Sequence, residues 1–379
     1  MLSPRLVLLA RAPLAAFAAM GILWGGFAAV LPDLKAQLGV AEAQLGLLML
    51  MTPLAAVLAM LVAPAVGAGL GRLALPGAAF AMALAFAGPG QVHWLWLFPP
   101  MMMLCGAATG LTDVLMNARV AALEGRHGLH LMTLCHAAYS FGYAAGALGT
   151  GAMRDAAWPP AAVLGGGALV AGVLAALTFE RDGRIDGLAR PEKGAGGLGL
   201  GPVIGGAIIL VAFLTENAAE NWSALHIEKT LGGSPAQGAA GPAALALTMG
   251  VARLVGQGLV TRLRPARVLA GGAVLSACGA LTAAAATSPG MAQIAFVIMG
   301  LGSSVIAPTA FSLVGERAAP EARARAVARA TLYGYFGYFF GPPMLGFLAG
   351  AFGLRAAFVF AALLLALVSV LAPLMVRRR

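Results

Sequence analysis

Twelve times along its 379 residues the chain returns to an apolar stretch long enough to cross a bilayer, and no water-soluble fold accommodates that pattern. A helix needs about 20 apolar residues to span the hydrocarbon. The stretches run 13–31, 45–66, 73–90, 94–118, 129–152, 158–179, 202–222, 239–260, 267–287, 291–314, 327–350 and 356–376. With 60% of residues hydrophobic and 10% charged, there are too few polar groups to coat a surface of this size in water. Lipid offers no partner to an exposed amide, so each span closes its own backbone hydrogen bonds as a helix. The fold class read from these runs is an all-α membrane protein of twelve transmembrane helices.

Basic residues give the orientation, because Lys and Arg are retained on the cytoplasmic side. With both termini inside, only Lys35, Arg154, Lys229 and Arg355 of the 24 Lys and Arg fall in outer loops. Arg253 lies within a span, and the rest fall in inner segments. This alternation places a multi-pass protein in a cell inner membrane. The net charge of +10 is spread over those segments and forms no stripe, which argues against a nucleic-acid partner. Cys105, Cys135 and Cys278 all fall inside spans, so no disulfide framework is indicated.

The chain repeats itself once. Val62-Ala63-Pro64-Ala65-Val66-Gly67-Ala68-Gly69-Leu70 returns as Val251-Ala252-Arg253-Leu254-Val255-Gly256-Gln257-Gly258-Leu259. Phe141-Gly142-Tyr143-Ala144-Ala145-Gly146 returns as Phe336-Gly337-Tyr338-Phe339-Phe340-Gly341. Both offsets are near half the chain. This divides it into a six-helix bundle at 1–179, a Gly-rich cytoplasmic linker at 180–201 and a second bundle at 202–379. Parallel repeats of this kind bind solute between the halves near the midplane. Glycines four apart, as at Gly21 and Gly25 or Gly106 and Gly110, predict helices whose backbones touch.

The repeated segments resemble the Gly-rich signature of the major facilitator superfamily. Here it reads Gly67-Ala68-Gly69-Leu70-Gly71-Arg72, echoed from Gly256 to Arg262 without the family's acidic residue in either copy. Gly300-Leu301-Gly302, Pro308 and Tyr335-Phe336-Gly337 followed by Gly341-Pro342-Pro343 are similar to its tenth and eleventh helices. Two further stretches resemble the fucose-permease-like subgroup. One is Asp113 to Asn117 with Glu124 and His136 to Ser140; the other is Glu216-Asn217-Ala218-Ala219-Glu220-Asn221-Trp222-Ser223. The resemblance implies the major facilitator fold and a carrier for a small solute; it does not supply the substrate.

Ionisable groups inside a membrane are costly and mark function. Asp113, His136, Glu216 and Glu220 are the candidates for proton coupling. Asp113 lies about 10 Å from the inner end of its span and His136 at a similar depth in the next. If those helices are neighbours, the two side chains can share a proton. Glu216, roughly 21 Å from the inner end of its span, belongs to the outer half of the cavity, where no fixed cation is expected beside it. An acid so placed can hold a proton when occluded and release it when hydrated. Trp24, Tyr139, Tyr333 and Tyr335, with Asn117 and Asn217, are the candidates for holding solute. Arg72, Arg253 and Arg262 are the candidate gating residues, Arg253 by snorkelling toward the inner surface.

The function expected is secondary active transport of a small organic solute by alternating access, driven by protons. Solute, protons and bilayer are the partners, with no cofactor and no metal, and the carrier is expected to act as a monomer. An uncoupled facilitator or exporter is the alternative within transport. A metal-ion carrier lacks Met or His residues converging at one depth. A membrane-embedded enzyme lacks a nucleophile or metal-ligand spacing in the inner loops.

Overall fold

The computed structural model describes residues 4–129, 131–185, 200–260, 263–318 and 322–376. Among these residues every regular element is helical. In the first half of the chain, α1 spans Pro4–Leu9, α2 Arg11–Leu38, α3 Glu42–Met49 and α4 Met51–Leu70. They are followed by α5 over Ala74–Phe86, α6 over Phe98–His127, α7 over Met132–Asp155 and α8 over Pro160–Leu177. In the second half, α9 spans Gly201–Leu225, α10 Pro235–Val260 and α11 Pro265–Ala285. The last three are α12 over Pro289–Arg317, α13 over Arg323–Phe352 and α14 over Leu354–Val376. Most of the expected linker, including 186–199, lies outside the described residues.

Local chemistry explains where these helices start and stop. Proline occupies the first turn of α6, α8, α9, α11 and α12, where its missing N–H is not needed. The Ser288 side chain caps α12 by accepting from the Met291 amide at 3.3 Å. Gly39 ends α2 with φ 64°, a left-handed cap that a side chain resists. Glu124, part of the motif around Asp113, accepts from the Leu131 and Met132 amides and so caps α7. That role is structural.

Nine stretches of the described residues are helical, long and apolar enough to cross a bilayer. One of them, Glu42–Gln91, contains both α4 and α5, which meet at a turn where Gly71 has φ 55°. The long helices α7 and α13 are not among the nine. The twelve crossings read from the sequence require α4 and α5 to be counted separately and α7 and α13 to be included. Large apolar side chains such as Leu61, Leu84, Leu169, Phe347 and Leu363 face outward, the surface a bilayer solvates. Trp94 and Trp96 stack with ring centroids 6.4 Å apart and stay exposed, as interfacial aromatics do.

The packing pairs elements distant in sequence: α2 lies along α7, α4 along α6, α9 along α13 and α10 along α12. The glycine spacing does what the sequence predicts. A Cβ on Gly21 or Gly25 would fall on the Tyr139 or Tyr143 backbone, and one on Gly142 or Gly146 would fall on Ala18 or Ile22. Two helix backbones therefore touch on both sides of the α2–α7 seam. Gly106 and Gly110 play the same part for α6 against Thr52 and Ala56.

Inserting a side chain at this seam must push the helices apart. Gly25→Val should lower unfolding stability in detergent by at least about 3 kcal/mol, the upper range for an overpacked core. Gly77→Val on α5, where nothing lies within 4 Å, should leave it within about 1 kcal/mol. Equal losses in the two variants would contradict backbone contact between α2 and α7.

Candidate functional site

Between the two halves lies a cavity of about 330 Å³. Helix α2 contributes Phe17, Met20 and Trp24; α6 contributes Thr109, Asp113 and Met116; α7 contributes His136, Tyr139, Ser140 and Tyr143. From the second half, α9 contributes Phe213, Glu216, Asn217, Glu220 and Asn221. Met249 and Arg253 come from α10, and Tyr335 and Tyr338 from α13. Part of the polar character of α7 and α13 faces this cavity, through His136, Tyr139, Ser140 and Tyr143 of α7 and Tyr335 and Tyr338 of α13.

Nine of the thirteen residues singled out from the sequence line this cavity: Trp24, Asp113, His136, Tyr139, Glu216, Asn217, Glu220, Arg253 and Tyr335. Three sit elsewhere. Asn117 is a turn below Asp113 and donates to its carbonyl at 2.8 Å and its carboxylate at 3.1 Å. Tyr333 packs against Gly206 of α9 and its hydroxyl accepts from Arg329 Nε at 3.3 Å. Arg72 lies over the Phe179 ring, 5.9 Å from its centroid. Arg262 lies outside the described residues.

Asp113 and His136 share the cavity but no hydrogen bond. The Asp113 carboxylate accepts instead from Asn117 and, at 3.4 Å, from the Tyr335 hydroxyl across the cavity. His136 sets its ring edge against Phe17, 5.0 Å between centroids. The expectation of a shared proton assumed that consecutive helices are packing neighbours. Here α6 packs chiefly on α4 and α7 on α2.

Glu216 also differs from expectation. Arg253 does not snorkel away; its Nη2 stands 3.8 Å from Glu216 Oε1, so the acid has a fixed cation beside it. The separation makes an ion pair and no hydrogen bond. Glu216 Oε1 and the neighbouring Asn217 Oδ1 are buried without a hydrogen-bond partner. Tyr139 lines the same cavity as Asp113, Glu216, Glu220 and Arg253.

A second ionic centre joins the two halves near the end of α7 that follows the cavity residues, and it went unnoticed in the sequence. Arg154, read as an outer-loop residue, ends α7 with its side chain 1% exposed. Its Nε and Nη2 donate to the two Asp33 oxygens, both at 2.6 Å. Its Nη1 and Nη2 donate to Glu228 at 2.7 and 2.9 Å, and Nη1 also to the Ala29 carbonyl at 2.7 Å. Glu228 sits in a single π-helical turn, His226–Thr230, that follows α9. Asp33 and Arg154 belong to the first half of the chain and Glu228 to the second, so this fork bolts the halves together. Nearby, Asp155 accepts from the Ala236 amide of α10 at 3.1 Å, and Ala29, Ala144, Ala147, Ala239 and Ala243 form a tight seam of small residues. At the opposite end, described ties run within the first half: Arg11 donates to the Leu177 and Phe179 carbonyls, and Arg119 pairs with Glu180 at 2.7 Å. A signal was available: Arg154 is one of four basic residues on a side that otherwise lacks them, and Asp33 and Glu228 are among only 14 acids in the chain.

The arrangement of helices agrees with that of solved transporters. The sequence profile described as Major Facilitator Superfamily matches residues 204–379. An uncharacterized MFS-type transporter of Yersinia pestis is 31% identical over 365 residues, spanning 92% of this chain and 91% of that protein. This chain belongs to the major facilitator superfamily. The fold of solved transporters matches nearly the whole chain. The nucleoside transporter NupG superposes with a TM-score of 0.74 at 13% identity, covering 98% of this chain and 100% of NupG. The E. coli fucose:proton symporter FucP superposes with a TM-score of 0.61 at 17% identity, covering 97% and 99%. As a member of this superfamily the chain is a multi-pass membrane transporter and not an enzyme.

Removing the Arg154 guanidinium leaves Asp33 and Glu228 facing each other without a cation, a loss of about 3–5 kcal/mol for a buried pair. Arg154→Ala should therefore release this end. In a background without Cys105, Cys135 and Cys278, a cysteine introduced at Asn221 should react about ten-fold faster or more with an impermeant thiol reagent added from the Arg154 side. An unchanged rate would show that the fork does not hold the end shut.

Proposed function

We propose that this chain is a secondary active transporter that moves a small organic solute by alternating access and couples that movement to protons. The observation that carries the reading is the cavity between the halves: it holds three carboxylates, and an ionic fork joins the halves at the end of α7 beyond it. A site shared by two halves changes its exposed side when the halves rock, and the fork is a contact that must break on each cycle. Carboxylates that meet water only in one state bind protons differently in the two states, which is what coupling requires. The fucose:proton symporter among the structural relatives couples solute to protons, which supports the same use of acids here.

In this reading Asp113, Glu216 and Glu220 carry the coupling proton, with His136 beside them. Trp24, Tyr139, Asn217 and Tyr335 contact the solute. Asn117 positions Asp113, and Tyr333 braces α9 against α13. The two six-helix bundles, 1–179 and 202–379, move about the 180–201 linker. The basic-residue pattern sets the Arg154 end outside an inner membrane and both termini in the cytoplasm. The described conformation is then closed to the outside. Arg72 stands on the inner side, where a gate closes in the other half of the cycle.

Two measurements test this. Proteoliposomes loaded with a pH-sensitive dye should show proton movement when a carried solute is added from a panel of sugars, amino acids, amines and organic acids. Glu216→Gln should still exchange that solute but fail to concentrate it under a pH gradient. Concentration by the variant at the wild-type level would move the coupling proton elsewhere. For topology, a cysteine at Lys229 should be labelled from outside intact cells and one at Asp182 should not. The reverse pattern would invert the orientation.

A further inference from the structure

The charges around the cavity do not balance. Asp113, Glu216 and Glu220 face it with one guanidinium, that of Arg253, and the His136 imidazole. Arg253 stands against Glu216 at 3.8 Å. Asp113 is held by Asn117 and Tyr335. Glu220 lies one turn along α9 from Glu216 and has neither an ion pair nor a hydrogen bond among the described residues.

Among the unpartnered polar atoms that line the cavity is one donor, Arg253 Nε, which a solute hydroxyl oxygen can satisfy; the others divide into two groups. On the second-half wall, Glu216 Oε1 and Asn217 Oδ1 lack a hydrogen-bond partner in residues only 6% and 7% exposed. Both are acceptors, and both stand beside Glu220. On the first-half wall, the hydroxyls of Thr52 and Thr109 are likewise buried and unpartnered. Buried acceptors next to an unbalanced carboxylate call for a ligand that brings donors and positive charge. An anionic solute, whatever donors it carried, would add a fourth negative charge. A neutral polyol would supply donors but leave Glu220 uncompensated. The aromatic faces of Trp24, Tyr139 and Tyr338 suit a cation better than an anion.

We infer that the solute is a small hydroxylated amine in its protonated form. Its ammonium sits at Glu220, Glu216 and Asn217 on the second half, and its hydroxyls reach Thr52 and Thr109 on the first. One ligand then touches both halves, with charge recognised on one side and shape on the other. This inference rests on the transporter reading, because it names the solute of that same cavity.

The test uses matched probes on the purified full-length protein: glucosamine, glucose, N-acetylglucosamine and glucuronate on one ring, and serinol and glycerol on one chain. Ligand that binds only the folded state raises the unfolding midpoint. Glucosamine or serinol should stabilise the protein, and their neutral and anionic counterparts should bind about ten-fold more weakly or less, the loss of one charge-assisted contact. Glu220→Gln should weaken the amine about ten-fold while Glu220→Asp retains part of it, which separates charge from folding. Thr109→Val should weaken the amine several-fold while leaving its preference over the neutral counterpart. Equal stabilisation by a neutral or anionic probe, no stabilisation by either amine, or an amine unaffected by Glu220→Gln would each overturn the inference. If a neutral probe binds and is concentrated under a pH gradient, the transporter reading stands and the cation falls. If an amine binds but is never exchanged across proteoliposomes, the cation site stands and the transporter reading falls.

Discussion

The Arg154 guanidinium is the contact on which the described state of the molecule depends. It is almost wholly buried, and four of its hydrogen bonds go to two carboxylates from opposite halves of the chain. A buried charge is tolerable only when its partners are close and well aligned, and removing any one of the three strands the others. The geometry is therefore cooperative: the halves are locked together when all three meet, and the lock weakens sharply when they part. The surroundings favour the closed form in the same way. Small residues on α2, α7 and α10 let the helices close, and Gly238 leaves room for the Glu228 carboxylate.

Behind this lock the helices divide their labour by polarity. Those facing lipid, such as α8 and α14, present Leu and Val outward. The helices that build the cavity give up apolar character for Tyr, His and Gly. Of these, α7 and α13 carry the repeated Phe-Gly-Tyr motif, whose glycines bring α7 against α2 and α13 against α9. Close approach fixes the cavity wall, because tyrosines neighbouring those glycines project from a rigid seam. Tyr139 packs against Tyr143 and Phe213 against Tyr338, with centroids 6.0 and 4.7 Å apart. The same residues that lower the hydropathy of these helices define the site.

Much of this was legible in the sequence because it rests on local rules. The apolar runs, the repeat and the four-residue glycine spacing all depend on helix geometry, and membership of the superfamily followed from their motifs. Intramembrane Asp113, Glu216 and Glu220 stood out because lipid makes each acid conspicuous. What was not legible depends on which helices touch. Asp113 and His136 looked paired because their helices are consecutive, yet each helix packs mainly on another partner. Arg253 looked able to reach the inner surface, but α9 places Glu216 where the guanidinium can meet it. Asn117 and Tyr333 have the right chemistry but do not line the cavity: Asn117 is taken up by Asp113 and Tyr333 packs against Gly206, which residue type does not reveal. Arg154 was hidden by its position at a span boundary, where an arginine ordinarily belongs.

The contact between Asp113 and Tyr335 adds a constraint on how solute and conformation communicate. It is a hydrogen bond at 3.4 Å between α6 of the first half and α13 of the second, so it too spans the cavity. A ligand shifts an equilibrium only through contacts that differ between the states. Any cation or proton that claims the Asp113 carboxylate competes with Tyr335 and weakens a tie across the halves. The fork residues Asp33, Arg154 and Glu228 do not line the cavity, and small residues pack beside them. The two cross-half contacts are thus chemically distinct: one responds to what occupies the cavity, and the other sets how stable the closed end is when the cavity is empty. A carrier needs that separation, because a single contact serving both purposes would tie affinity and gate strength to the same side chains.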